Sequence, residues 1–342
     1  MTQMRAAVLV EPKRFEIQIR PVPVPKSDEV LVKVERVGIC GTDLHIFNGH
    51  YAADKLPLVP GHEFVGVVTE TGAQARRFNA GQRVVVDINA GCGSCYWCRR
   101  NEILSCPEMQ QIGISRDGAF SEYLTVPARL VIPVPEHMAP AVAALTEPVA
   151  CVVRAARKAR MGMANSVVIL GAGPIGNLHV QMMRLLGVAP IIAFERSELR
   201  CQMAKEAGAD VVVSDAAKLS DAVLAHTDGR GADFVIESVG APSLYADALK
   251  LIRRGGHVAF FGLTGAGATV PVDIVQTILR EDSLKGSVAG MGEDMHDALT
   301  LLAHGRFNTA RFTEATYALD DIQQAFETVT QRPHHLKTQI AF

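Results

Sequence analysis

Two short clusters hold the residues best suited to chemistry: Cys40-Gly-Thr42-Asp-Leu-His45 and Gly61-His62-Glu63. A thiolate and an imidazole, Cys40 and His62, form the mixed ligand set of a catalytic zinc that keeps one position for substrate or water. Glu63 and, far along the chain, Glu147 offer carboxylates to the same sphere. Zinc there would act as a Lewis acid, lowering the pKa of an alcohol near neutral pH. The alcohol proton then needs a way out, and Thr42 and His45 supply a hydroxyl and an imidazole to relay it. Taken singly, Cys40 reads as a small buried residue and His62 as a core histidine. Thr42 could be a turn residue, His45 a solvated one and Glu147 a helix N-terminal acid. Their combination carries the catalytic reading.

A second metal signature is Cys92-x2-Cys95-x2-Cys98-x7-Cys106. Four soft ligands complete tetrahedral zinc and leave no open position, so this site is expected to stabilise a loop and do no chemistry. Gly91 and Gly93 supply the turns that let the thiolates converge. A nucleic-acid zinc ribbon would need a basic face, and Arg99 and Arg100 alone do not make one.

The third signature is Gly171-Ala-Gly173-Pro-Ile-Gly176, which follows the apolar strand Ser166–Leu170 and opens a helix. The first glycine permits the tight turn, the second lets a pyrophosphate approach the backbone, and the third lets helix and strand pack closely. The helix N-terminus supplies free N–H groups to the phosphates. Glu195 ends the next strand, where a carboxylate bonds the adenosine ribose hydroxyls and repels a 2′-phosphate. NAD is therefore expected over NADP, with Arg196 the one residue that speaks for a phosphate.

The elements that must position these residues are of two kinds. Up to about Pro135, β-branched runs such as Val30–Val34, Val65–Val68 and Val84–Val86 alternate with Gly and Pro, which predicts a barrel-like β region. Pro21, Pro23 and Pro25 read as an extended connector. Residues 141–160 read as one helix. Beyond it, strands near residues 166–170, 191–194, 211–213, 234–236, 258–261 and 284–288 alternate with helices near 177–186, 198–207, 220–226 and 243–251. Repeated β-then-α units predict a doubly wound parallel sheet. The fold class is α/β, with residues 1–150 a zinc-binding catalytic domain, 151–288 a cofactor domain and 289–342 a return to the first.

Composition narrows the function classes. The 342 residues carry 34 Lys+Arg against 36 Asp+Glu, a net charge of −2, which gives no field for nucleic acid or anionic membranes. The most apolar stretch, residues 139–153, is interrupted by Glu147 and Pro148, so no membrane span is expected. The amino terminus lacks a signal-peptide pattern, and the seven cysteines, an odd number, argue against a disulfide framework. A cytoplasmic enzyme is expected.

With these motifs in place, the whole chain resembles the zinc-dependent medium-chain dehydrogenases. The matching blocks are GICGTDLH (38–45), GHEFVGVV (61–68), the Cys92–Cys106 lobe, EPVAC (147–151) and GAGPIG (171–176). The resemblance implies a GroES-like β-barrel catalytic domain, a Rossmann domain and an active site in the cleft between them. It also implies two zinc ions per chain: Cys40, His62 and Glu63 at the catalytic zinc, and Cys92, Cys95, Cys98 and Cys106 at the structural one. Glu147 stands where the polyol and threonine branches have an acid. Thr42 and His45 match the proton relay. Gly171, Gly173, Ile175, Gly176, Glu195 and Arg200 match cofactor contacts, and Phe261, Gly262, Leu263, Ser287, Val288 and Ala289 match the strand ends that border the nicotinamide.

The expected activity is hydride transfer from a secondary alcohol of a small polar substrate, such as a sugar alcohol, to NAD. Two other enzyme readings are an L-threonine 3-dehydrogenase and a simple alcohol dehydrogenase; outside enzymes stands a non-catalytic nucleotide-binding scaffold. Departures at Ile46-Phe47, Ser287–Gly290 and Gln82 bear on the substrate and not on the chemistry. A homodimer or homotetramer is expected. Cys151 and Cys201 read as packing residues, Met182, Met183, Leu185 and Leu186 as the inner face of a helix, His334 and His335 as a solvated loop, and His50 as a surface turn or a substrate contact.

Overall fold

The computed structural model describes residues 2–265, 267–331 and 335–342, which divide into two compact units. The first comprises residues up to Ala150 together with 291–305 and 309 onward; the second comprises 151–290 with 306–308.

In the first unit, the ribbon Gln3–Glu11/Arg14–Pro21 precedes β1 (Glu29–Gly38), α1 (Gly41–Phe47), β2 (Glu63–Thr71), β3 (Arg83–Val86), β4 (Tyr123–Pro127) and β5 (Val131–Pro133). Residues 22–26 form no regular element, as the proline spacing predicts. β1 and β2 pair antiparallel, Gly38 opposite Glu63, so the residues that follow β1 and precede β2 emerge side by side. Val30, Val32, Val34, Val65 and Val68 are fully or almost fully buried, and so is Leu31 between the first two, so the middle of this pair is covered on both faces. Ile46 and Phe47 anchor α1 in the same core, where the Phe47, Phe120 and Phe326 rings cluster.

The helix expected over 141–160 is interrupted. A turn at Pro140–Ala143 ends before α2 (Thr146–Ala159), whose first turn holds Glu147. Pro148 falls in that first turn, where its missing N–H costs nothing.

The second unit runs β6 (Val167–Leu170), α3 (Pro174–Leu185), β7 (Ile191–Phe194), α4 (Glu198–Ala207), β8 (Val211–Val213), a helix over Ala216–Ala225, β9 (Ala232–Glu237), α5 (Pro242–Leu251), β10 (Ile252–Phe260), α6 (Ile274–Arg280) and β11 (Ser283–Gly286). Its six strands are parallel in the order β8-β7-β6-β9-β10-β11, a doubly wound sheet whose order reverses between β6 and β9. β6 and β7 are buried throughout, which is why they read as continuous apolar runs. α6 is absent from the sequence reading, and Leu185, expected inward, is 40% exposed.

The chain then returns to the first unit. β12 (Ala315–Ala318) and β13 (Thr338–Ala341) complete a seven-stranded sheet in the order β12-β13-β1-β2-β3-β5, with β4 paired to β1. His335 lies 3.4 Å from Glu314, while His334 falls outside the described residues.

Candidate functional site

Cys40 ends the turn after β1 and caps α1; His62 and Glu63 open β2. Ligand atoms of Cys40, His62 and Glu63 lie within 4.8 Å of one another, with the His and Glu buried. One carboxylate holds the two turns together: Asp43 accepts from the Cys40 N–H at 2.9 Å and from the Gly61 N–H at 3.4 Å. Its Oδ1 also lies 3.2 Å from His62 Nδ1. Gly61 has φ +97°, and a Cβ there would meet the Phe120 backbone, so only glycine makes this turn.

Beneath the cluster lies Lys337, the one lysine in the buried class among the described residues. Its ammonium is 2.7 Å from both Glu63 carboxylate oxygens, bonding Oε1, and donates to the Ile39 carbonyl at 3.2 Å. Burial works against its charge, but Glu63, Cys40 and Glu147 outweigh burial and hold its pKa above the usual lysine value. Burial likewise opposes a charged His62, and Asp43 with Cys40 more than offset it, raising that pKa well above the ordinary range. The three converging side chains supply the N, S and O donors of a divalent metal centre. Glu147 is buried and its charge reaches Lys337, although it is not among the three residues that converge.

Thr42 and His45 lie on α1, both half-buried. Burial, then the charge of His50, lowers the His45 pKa; the two rings are 6.4 Å apart. His50 is exposed.

Cys92, Cys95, Cys98 and Cys106 also converge, with their sulfur atoms within 4.8 Å of one another. Backbone N–H groups point at the sulfurs: Cys95 to Cys92 and Cys92 to Cys106 at 3.4 Å, Cys98 to Cys95 at 3.5 Å. The Ser94 N–H and hydroxyl draw the Cys92 pKa down to about 6. Against a backbone hydrogen bond from Gly93, burial and its hydrogen bonds to the neighbouring thiols push Cys98 up to about 11; four converging sulfurs suit tetrahedral zinc.

In the second unit the glycine turn joins β6 to α3. Gly171 has φ +93°, and a Cβ on Gly176 would run into the Gly171 carbonyl. α3 begins with Pro174 and has no side-chain cap, so the N–H groups of Ile175 and Gly176 remain available to an anion. Arg200 approaches Gly173, where a Cβ would lie 3.7 Å from its guanidinium. Glu195, just past β7, accepts N–H groups from Ala172 at 3.1 Å, Arg196 at 2.9 Å and Ser197 at 3.0 Å, which fixes its carboxylate beside the glycine turn. At the same edge of the sheet, Phe261, Gly262 and Leu263 follow β10, and Ser287, Val288 and Ala289 follow β11. Ser287 Oγ is buried without a partner among the described residues, and Val288 is 56% exposed. The uncapped helix start and the orphaned hydroxyl fit a dinucleotide with a carboxamide.

Sequence reasoning missed Asp43 and Lys337. Asp43 could have been found, since a carboxylate commonly orients a metal-binding histidine. Lys337 is 274 residues from Glu63 and carries no local signal.

Residues 26–136 match the alcohol dehydrogenase GroES-like domain, and residues 174–304 the zinc-binding dehydrogenase domain. The chain is 31% identical to sorbitol dehydrogenase of Bacillus subtilis (strain 168), over 96% of this chain and 94% of that one. A zinc-binding dehydrogenase of Sinorhizobium meliloti 1021 bound to NADP superposes with TM-score 0.93, 30% identity and full coverage of both chains. A short chain alcohol dehydrogenase of Escherichia coli CFT073 complexed with NADH gives TM-score 0.92 and 28% identity, again over the whole of both chains. The chain belongs to the zinc-dependent medium-chain dehydrogenase family of the alcohol dehydrogenase superfamily, and is an oxidoreductase acting on CH–OH groups.

Proposed function

We propose that this protein oxidises the secondary alcohol of a small polyol and passes the hydride to NAD. The buried convergence of Cys40, His62 and Glu63 carries this reading. These three residues would hold a catalytic zinc, and the four clustered cysteines a structural one. The catalytic ion supplies Lewis acidity toward the alcohol oxygen. Asp43 sets the histidine ring, turning Nδ1 toward itself and leaving Nε2 for the metal. Thr42 and His45 take the alcohol proton outward; His45, with its pKa lowered, is neutral at pH 7 and able to accept. Glu195 would hold the adenosine ribose hydroxyls and disfavour a 2′-phosphate, which supports NAD over NADP. The sorbitol dehydrogenase relative and the acid at Glu147 support a polyol.

The partner is a second copy of the chain. β11 is the exposed edge strand of its sheet, and beside it in sequence Ile274, Val275, Ile278 and Leu279 are 62–68% exposed on α6. An apolar helix next to an unpaired strand is a surface that self-association covers. Seven free thiols, five of them in the two metal-binding groups, suit the reducing cytoplasm.

The test is NADH formation over a panel of polyols, sugar acids, L-threonine and short alcohols, with and without chelator, alongside metal analysis. A chelator-sensitive signal on polyols is expected, with about two zinc ions per chain. A signal confined to L-threonine or simple alcohols would overturn the substrate class, and metal-free active protein would overturn the zinc chemistry.

A further inference from the structure

Glu237 is the last residue of β9, fully buried, and none of the steps above uses it. It sits opposite Leu170, the end of β6, and Phe260, the end of β10. That places it where the strand order reverses, the place at which doubly wound sheets bind ligands. Its carboxylate faces a tight turn. Oε1 accepts from the Val239 N–H at 3.0 Å, and the Gly240 N–H bonds both oxygens at 3.0 and 3.1 Å. Its own carbonyl accepts from Phe261 at 3.0 Å and Gly262 at 2.8 Å. Gly262 lies so near the carboxylate that a Cβ would collide with Oε2 and the Gly240 backbone. Tyr245, buried on α5, closes the frame by donating its hydroxyl to the Gly262 carbonyl.

One side chain therefore sets both the 238–241 turn and the 261–263 loop. An amide there would lose the charge and replace Oε2, which also accepts from the Gly240 N–H, with an NH2 group that cannot accept. We propose that Glu237 is a positioning residue for the nicotinamide half of the cofactor, acting through the Phe261–Leu263 backbone with Tyr245 as its brace. This rests on the dinucleotide reading of the second unit. It assigns no role to Glu237 in holding the adenosine half, which the glycine turn and Glu195 would bind.

The experiment titrates the intact protein with NADH, followed by cofactor fluorescence, and with AMP, followed by calorimetry. Glu237→Gln should weaken NADH binding about tenfold or more, from misplaced charge-assisted bonds, while AMP affinity stays within about twofold. Tyr245→Phe deletes a single hydroxyl and should weaken NADH by roughly two- to fivefold, again with AMP unchanged. A purely structural role would lower the melting temperature and weaken both ligands together. Unchanged NADH affinity in both variants, or equal loss of NADH and AMP, would overturn the proposal. Wild-type protein that binds neither ligand would overturn the dinucleotide reading beneath it, a result distinguishable from the others because it appears before any substitution.

Discussion

His179 is a fully buried imidazole on α3 whose two nitrogens have no hydrogen-bond partner among the described residues. Its ring stands edge-on to Phe261, centroids 4.9 Å apart. Burial holds its pKa down at about 3. Leucine fills nearly the same space and leaves no polar atom. Removing orphaned ring nitrogens should stabilise by about 1–3 kcal/mol, and losing the edge contact should cost about 0.5–1.5 kcal/mol. The net at neutral pH is therefore a gain of about 1 kcal/mol, or roughly 2–4 °C in apparent melting temperature for a unit of this size.

Acid enlarges the difference. The unfolded imidazole titrates near 6.5 and the folded one at about 3, so the unfolded chain takes up a proton first as pH falls. Wild-type stability from this group is intact above about pH 6.5 and declines toward pH 3. At about pH 5 the loss is roughly 2 kcal/mol, at 1.36 kcal/mol per unit below 6.5. His179→Leu escapes that loss, so its advantage at pH 5 should reach about 3 kcal/mol. Thermal unfolding by circular dichroism at both pH values, with the chain loaded identically, measures it. A variant less stable than wild type at both, or an advantage that does not grow in acid, would refute the reasoning.

Glu195→Ala should raise the KM for NAD by about ten- to a hundredfold, by removing a charged acceptor, while the NADP:NAD ratio of kcat/KM rises; steady-state kinetics with both cofactors checks it. Cys95→Ser should release about one zinc ion per chain by metal analysis and lower the melting temperature, with Cys40-dependent metal retained. Ile278→Glu places a charge on the exposed α6 face and should shift sedimentation toward the single chain; an unchanged coefficient removes α6 from the contact.

The legible parts of the site were those whose partners are near in sequence. Cys92, Cys95, Cys98 and Cys106 announce themselves by spacing, as does the Gly171–Gly176 turn between a strand and a helix. Strands β6 and β7 were readable because burial on both faces makes them unbroken apolar runs. Lys337 and Glu237 were invisible for the opposite reason: their roles come from strand register, β13 against β1 and β9 between β6 and β10. α6 was missed because, at 7 residues, it is shorter than the span over which helical periodicity can be read. The break before Thr146 was missed because alanine-rich chain favours helix on both sides of it.

The placement of β13 has a consequence for how the protein is made. This strand lies in the interior of the seven-stranded sheet, between β12 and β1, and delivers Lys337 to Glu63. During synthesis it leaves the ribosome long after β1 and β2. The second unit is nearly continuous in sequence and has all six strands in hand long before that. The first unit must wait with the Arg36–Gly38 end of β1 open on one side and the Glu63 carboxylate without its lysine. Its metal-binding turns are translated before the second unit and completed after it, so the order of maturation departs from the order of the genetic message.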